Sequence, residues 1–106
     1  YRDRSYVNMN VEPRKDIVDG IEVYNSGNLP GEDKKALALS KEKDYIITSG
    51  GDIHSINNLK LGSAGVCFSS RVRNSAELIK ALKNNVCGYI VEGKQVVQIS
   101  ATDLPG

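Results

Sequence analysis

Asp52 and His54 stand two positions apart and pair a carboxylate with an imidazole, donor types that zinc, manganese and iron all accept as ligands. His54 is the only histidine in the chain. The pair follows Ile46-Ile47-Thr48-Ser49-Gly50-Gly51, an apolar run that ends in two glycines. In extended backbone, side chains at i and i+2 point to the same side, so Asp52 and His54 can face one ion while Ile53 turns into the protein. Gly50 and Gly51 open backbone conformations closed to other residues and let a ligand approach the main chain. The competing reading of Asp-x-His is a hydrogen-bonded loop pair that holds no ion.

A strand has to deliver that pair, and Asp44-Tyr45-Ile46-Ile47-Thr48 is a nearly continuous apolar run of the kind covered on both faces in parallel sheets. Upstream, Asp19-Gly20-Ile21-Glu22-Val23-Tyr24 alternates as a short strand, and Asn25-Ser26-Gly27-Asn28 marks the turn out of it. Pro30, Glu32 and Asp33 suit the first turn of a helix. Good helix formers continue from Lys34 to Lys43, with Ala36, Leu37, Ala38 and Leu39 as a broad apolar face. Strand, helix and strand together read as a βαβ unit.

Residues 56–61 read as an irregular connection and 64–68 as a third strand. Asn74-Ser75-Ala76-Glu77 fits a capping box, with Asn74 at the N-cap and Glu77 at the third helical position. Leu78, Ile79 and Leu82 are expected on the buried side of the helix that follows, ending near Asn84-Asn85. Residues 88–99 read as two short strands joined at a tight Glu92-Gly93-Lys94 turn. The expected class is α/β, with mainly parallel strands alternating with helices. In such folds ligands collect at the carboxyl ends of strands, where Asp52 and His54 stand.

With 106 residues, 40% of them hydrophobic and 25% charged, the chain can form one domain with a modest core. A formal charge of +1, with Lys and Arg scattered, gives no electrostatic case for a nucleic-acid or membrane partner. Cys67 and Cys87 lie far apart without Cys-x-x-Cys spacing, and are read as reduced core thiols in a cytoplasmic protein. No apolar run approaches the roughly 18 residues of a membrane span, and the first residues lack the apolar centre of a secretory signal. The chain opens with Tyr1 and has Met9 as its only methionine, so it is read as a piece of a longer gene product. Residues 1–16 are expected as a long loop, 17–92 as βα units, and 93–106 as a terminal strand and tail.

Asp19-Gly20-Ile21-Glu22-Val23-Tyr24-Asn25, then the helix carrying Ala36-Leu37-Ala38-Leu39, then Ser49-Gly50-Gly51-Asp52-Ile53-His54-Ser55, resembles the C-terminal part of a PHP (polymerase and histidinol phosphatase) domain. The family's closing motif usually reads Gly-Ser-Asp-Ala-His, from which Gly51 and Ile53 depart mildly. The resemblance covers roughly residues 1–92. It implies the last portion of a distorted (β/α)7 barrel that holds divalent zinc, manganese or iron ions and hydrolyses phosphoesters. By the same resemblance, Asp52 and His54 match the last two metal ligands, and the remaining ligands belong to an N-terminal part of the barrel absent from this sequence.

Further expectations concern partners and the remaining polar residues. The partners the resemblance implies are a phosphorylated small molecule or nucleotide as substrate and the missing N-terminal part of the barrel. The chain alone is expected to be inactive. Arg2 and Arg4 could grip a substrate phosphate as planar forks, although for Arg4 a solvated loop is preferred. Asn25 and Asn28 stand where they could contact substrate, and turn formation explains them equally well. Glu22 is expected to hold nearby loops, Arg71 and Arg73 to be a solvated pair, and Tyr24, Tyr45 and Tyr89 to fill core or rim. The alternative is a non-catalytic binding or assembly module that pairs with the missing portion or with itself as a homo-oligomer through exposed edge strands.

Overall fold

A computed structural model describes residues 14–58, 60–84 and 86–106. Arg2, Arg4 and most of the expected opening loop lie outside that range. The elements run β1 (Gly20–Asn25), α1 (Glu32–Lys43), β2 (Ile46–Gly50), β3 (Ala64–Phe68), α2 (Ser75–Asn84), β4 (Val86–Val91) and β5 (Lys94–Val96), then a short 3-10 turn at Ala101–Asp103. The expected strand, helix, strand unit is present: β1 and β2 pair in parallel through the α1 crossover.

The class is mixed α/β, and only this first pairing is parallel. β3 pairs antiparallel with β4, and β4 antiparallel with β5, in a separate three-stranded sheet. The expectation of mainly parallel strands therefore fails in the second half. Its reason is visible in α2: the chain enters β4 at the same end of the sheet at which it leaves β3, so α2 is not a crossover helix. Ala81 is the one residue of α2 that is buried. Leu78 and Ile79, expected on the covered face, are 39% and 56% exposed.

β1 departs from simple alternation in an informative way. Glu22 pairs with Thr48 and Tyr24 with Ser49, which leaves Val23 as the extra residue of a β-bulge. The bulge explains why Val23 and Tyr24 are buried in succession where a regular strand would bury only one. Ile21, Val23, Ala36, Leu37 and Leu39 form the main core with Tyr24, Tyr45, Val91, Ile99 and Leu104. The opposite face of the pair carries Gly20, Glu22, Ile46 and Thr48, which line an open hollow of about 280 Å³ together with Ile79, Leu82 and Lys83.

The terminal hairpin is sharp. Glu92 and Gly93 both take positive φ, 50° and 78°, as a two-residue turn of matching twist requires. The tail beyond it is part of the core: Ile99 and Leu104 are buried, and the Gly31 amide donates to the Pro105 carbonyl at 3.4 Å. The two sheets are tied by the Ser49 hydroxyl, which donates to the Ile90 carbonyl at 2.6 Å. Cys67 is half-buried and Cys87 exposed, both as free thiols, so the expectation of two core thiols fails for Cys87 on the outer side of β4. Among the described residues no helix is long and apolar enough to cross a membrane.

These environments separate two leucine-like positions. Leu37→Ala is expected to lower unfolding free energy by about 3 kcal/mol, as truncation of a buried aliphatic does. Ile79→Ala on the exposed face of α2 is expected to cost less than about 0.5 kcal/mol. Urea denaturation of the two variants checks both, and equal losses would place Ile79 in the core.

Candidate functional site

β1 and β2 end side by side, with Asn25 opposite Gly50 in the parallel register. The link continues into the loops. The Ser26 amide donates to the Gly50 carbonyl at 3.2 Å, and the Ser26 hydroxyl donates to the Gly51 carbonyl. Glu22 lies over Gly50, so that a methyl there would meet its carboxylate and oblige that side chain to shift. The carboxyl ends of the parallel pair thus form one fixed platform, from which Asp52 and His54 project.

The platform does not deliver the two residues as continued strand. β2 ends at Gly50, and Asp52 takes φ 52°, a left-handed conformation that aspartate tolerates better than most side chains. The i, i+2 argument for extended backbone therefore does not describe this geometry. The turn nonetheless brings the side chains together, with His54 Nδ1 3.7 Å from Asp52 Oδ1 and 2.9 Å from the Asp52 carbonyl oxygen. With Nδ1–H donating to that carbonyl, the imidazole lone pair rests on Nε2, the tautomer a metal-binding histidine commonly takes when its other nitrogen is held by a backbone acceptor. The His54 side chain is 85% exposed and the Asp52 side chain 32%.

The donor chemistry fits a divalent ion of the zinc, manganese or iron type: one hard carboxylate and one borderline imidazole on a mostly open surface. Among the described residues no three His, Cys, Asp or Glu side chains gather into a single ligand group. Asp52 and His54 are thus a pair of neighbouring donor groups at the platform's edge.

The other residues expected at the site are distributed as follows. Both ends of the Asn25 amide are used within the protein: Nδ2 donates to Glu22 Oε2 at 2.8 Å, and Oδ1 accepts from the Gly27 amide at 2.8 Å. Asn28 Nδ2 donates to Asp33 Oδ1 at 2.6 Å. Glu22 holds the adjacent loop through Asn25. Arg71 and Arg73 are exposed, with Arg73 3.8 Å from Glu77 one helical turn on. Tyr24 and Tyr45 are buried and Tyr89 half-buried, and burial raises the phenol pKa of Tyr24 and Tyr89.

Two residues not anticipated from sequence organise the mouth. Asp33, buried in the first turn of α1, accepts from the Asn25 amide at 3.1 Å as well as from Asn28, and so fixes the β1–α1 loop. Its position among the acidic residues at a helix start signals a helix cap and conceals this longer reach. Lys60 comes back from the loop after His54 to donate to the Ser26 carbonyl at 2.5 Å. A lysine in a polar stretch carries no sequence signal of such a role. Ser26, Gly27, Gly51, Asp52, Asn58 and Lys60 line a cavity of about 420 Å³ at the platform's edge.

The chain matches no family model, no curated protein and no solved structure.

Burial pushes the Asp33 carboxyl above its ordinary value, more than the Asn28 and Asn25 donors pull it down. A raised folded-state pKa means the folded protein prefers the protonated acid. That stabilisation is complete below the unfolded carboxylate pKa and is lost as pH rises through the folded one. The stability of the unaltered protein relative to Asp33→Asn is therefore expected to decline as pH rises from about 4 towards neutrality. Denaturant melts of both proteins across that range check it, and a flat difference would remove Asp33 as the source.

Proposed function

We propose that this chain is the C-terminal part of a PHP-type metal-dependent phosphoesterase, in which Asp52 and His54 supply the last two metal ligands. The observation that supports the reading is the pairing of this carboxylate and imidazole 3.7 Å apart, just beyond the carboxyl end of a parallel strand, at the expected ligand-bearing end of a βαβ unit. On this reading the chain forms the last portion of a distorted (β/α)7 barrel. An N-terminal portion supplies the other ligands and covers the hollow beside Gly20, Glu22, Ile46 and Thr48.

Divalent ions held by Asp52 and His54 together with other ligands would supply Lewis-acid chemistry toward a phosphoester and its attacking water. The chain's own residues have separate tasks. Asp52 offers carboxylate oxygen to the ion. The bond from His54 Nδ1 to the Asp52 carbonyl orients the ring and presents Nε2. Ser26 holds the two strand ends in register, and Glu22 with Asn25 keeps the first loop out of the space above Gly50. Substrate is a phosphorylated small molecule or nucleotide, and free thiols at Cys67 and Cys87 suit a cytoplasmic setting.

The test compares the intact protein with Asp52→Ala and His54→Ala variants. Each variant is expected to lose bound metal, with aryl phosphate hydrolysis falling about a hundredfold or more. The 106-residue chain alone is expected to turn over no substrate. Full metal content and activity in both variants would reject the assignment.

A second reading, a binding or assembly module without catalysis, is favoured by the apolar face that α2 presents through Leu78 and Ile79. On that reading Ile79→Asp abolishes self-association of the chain in size-exclusion with light scattering. A chain that is monomeric before any substitution counts against self-pairing.

A further inference from the structure

We propose that Lys60 anchors the phosphoryl group of the substrate beside the Asp52 centre, an inference that rests on the phosphoesterase reading and names a binding residue within it. The loop after His54 is built from successive hydrogen-bonded turns. The Asn57 amide donates to the Ser55 hydroxyl at 3.2 Å, the Asn58 amide to the Ser55 carbonyl at 3.1 Å, and the Lys60 amide to Asn58 Oδ1 at 2.8 Å. The Leu61 and Ser63 amides continue the series to the carbonyls of Asn58 and Lys60. These successive turns fold the segment back on itself and send the Lys60 side chain to the Ser26 carbonyl, 34 positions earlier in the chain.

That placement leaves a cation with unused capacity at the mouth. An ammonium has three N–H donors, and the Ser26 carbonyl takes one. Among the described residues no carboxylate lies within ion-pairing distance of Lys60. Among the same residues the Asn58 oxygen holds the Lys60 amide, while its NH2 end is a further donor. Lys60 and Asn58 share one cavity with Asp52, Ser26, Gly27 and Gly51.

The cavity therefore has cationic and amide donors on one part of its wall and a metal-ligating carboxylate on another. A phosphate monoester dianion matches the donors of Lys60 and Asn58, and Asp52 would hold on the same wall an ion that favours such a dianion. Because the ammonium is already held by Ser26, binding such a group immobilises little that was free, which favours affinity. A ligand without negative charge would leave the Lys60 charge unanswered.

The experiment is a titration of the intact protein with inorganic phosphate, followed by amide chemical shifts, for the unaltered protein, Lys60→Met and Lys60→Arg. The expected result is a response centred on residues 26, 27, 58 and 60. Phosphate affinity should fall about tenfold or more in Lys60→Met and largely recover in Lys60→Arg. In steady-state hydrolysis, KM should rise in parallel while metal content stays that of the unaltered protein. Should Lys60→Met fail to fold, Lys60→Gln, which keeps a donor, takes its place. Phosphate affinity within twofold of the unaltered protein in the folded variant would overturn the proposal and leave Lys60 as a tether of the loop. Failure of the phosphoesterase reading shows separately, as absent metal and absent hydrolysis in the unaltered protein, and the phosphate titration still decides Lys60.

Discussion

The site depends on two parallel strands stopping at the same level. A parallel pair cannot be closed by a tight hairpin, so α1 must carry the chain back before β2 can begin beside β1. Once it has done so, both carboxyl ends and the loops beyond them emerge together. Ser26 locks that arrangement from one side through Gly50 and Gly51, and Glu22 packs over Gly50 from the other. Without the shared stopping point, the carboxylate of Asp52 and the ammonium of Lys60 would belong to different surfaces.

Around this platform the protein uses short polar side chains as local fasteners. Asn25, Asn28 and Asp33 bind one another and the backbone between β1 and α1, and Asn25 reaches on to Glu22. Buried polar groups of this kind are stable only while their bonds are made, so they favour one loop conformation strongly over its neighbours. Asp33 carries the greatest cost, because one of its carboxylate oxygens is buried with no hydrogen-bond partner. That burial is what raises the Asp33 pKa and makes the folded protein favour its protonated form.

Much of this was readable from residue pattern where local rules dominate. Helix α1, strand β3, the Asn74 cap bonded to the Glu77 amide at 2.9 Å, and the Glu92-Gly93 turn all follow from propensity and turn chemistry within a few residues. Asp52 and His54 were visible because two chemically distinctive residues follow two glycines. What escaped is non-local. The pairing direction of β3 and β4 is decided by where α2 lies, and the burial of Ile99 and Leu104 by a cluster that includes Ile21 and Leu37, far away in sequence. The Val23 bulge hides in an apolar run that alternation alone would read straight through. Lys60 needed a fold before its reach to Ser26 meant anything.

The packing of Ile99 and Leu104 against the β1 and α1 core also bears on how the protein is made. Residues near 100 complete a hydrophobic cluster begun by residues near 20, so loop closure must be paid across most of the described chain before that cluster shields itself from water. A chain shortened before Ile99 would lack two members of the cluster that holds Val23 and Leu37, and so would expose apolar surface that the complete fold covers.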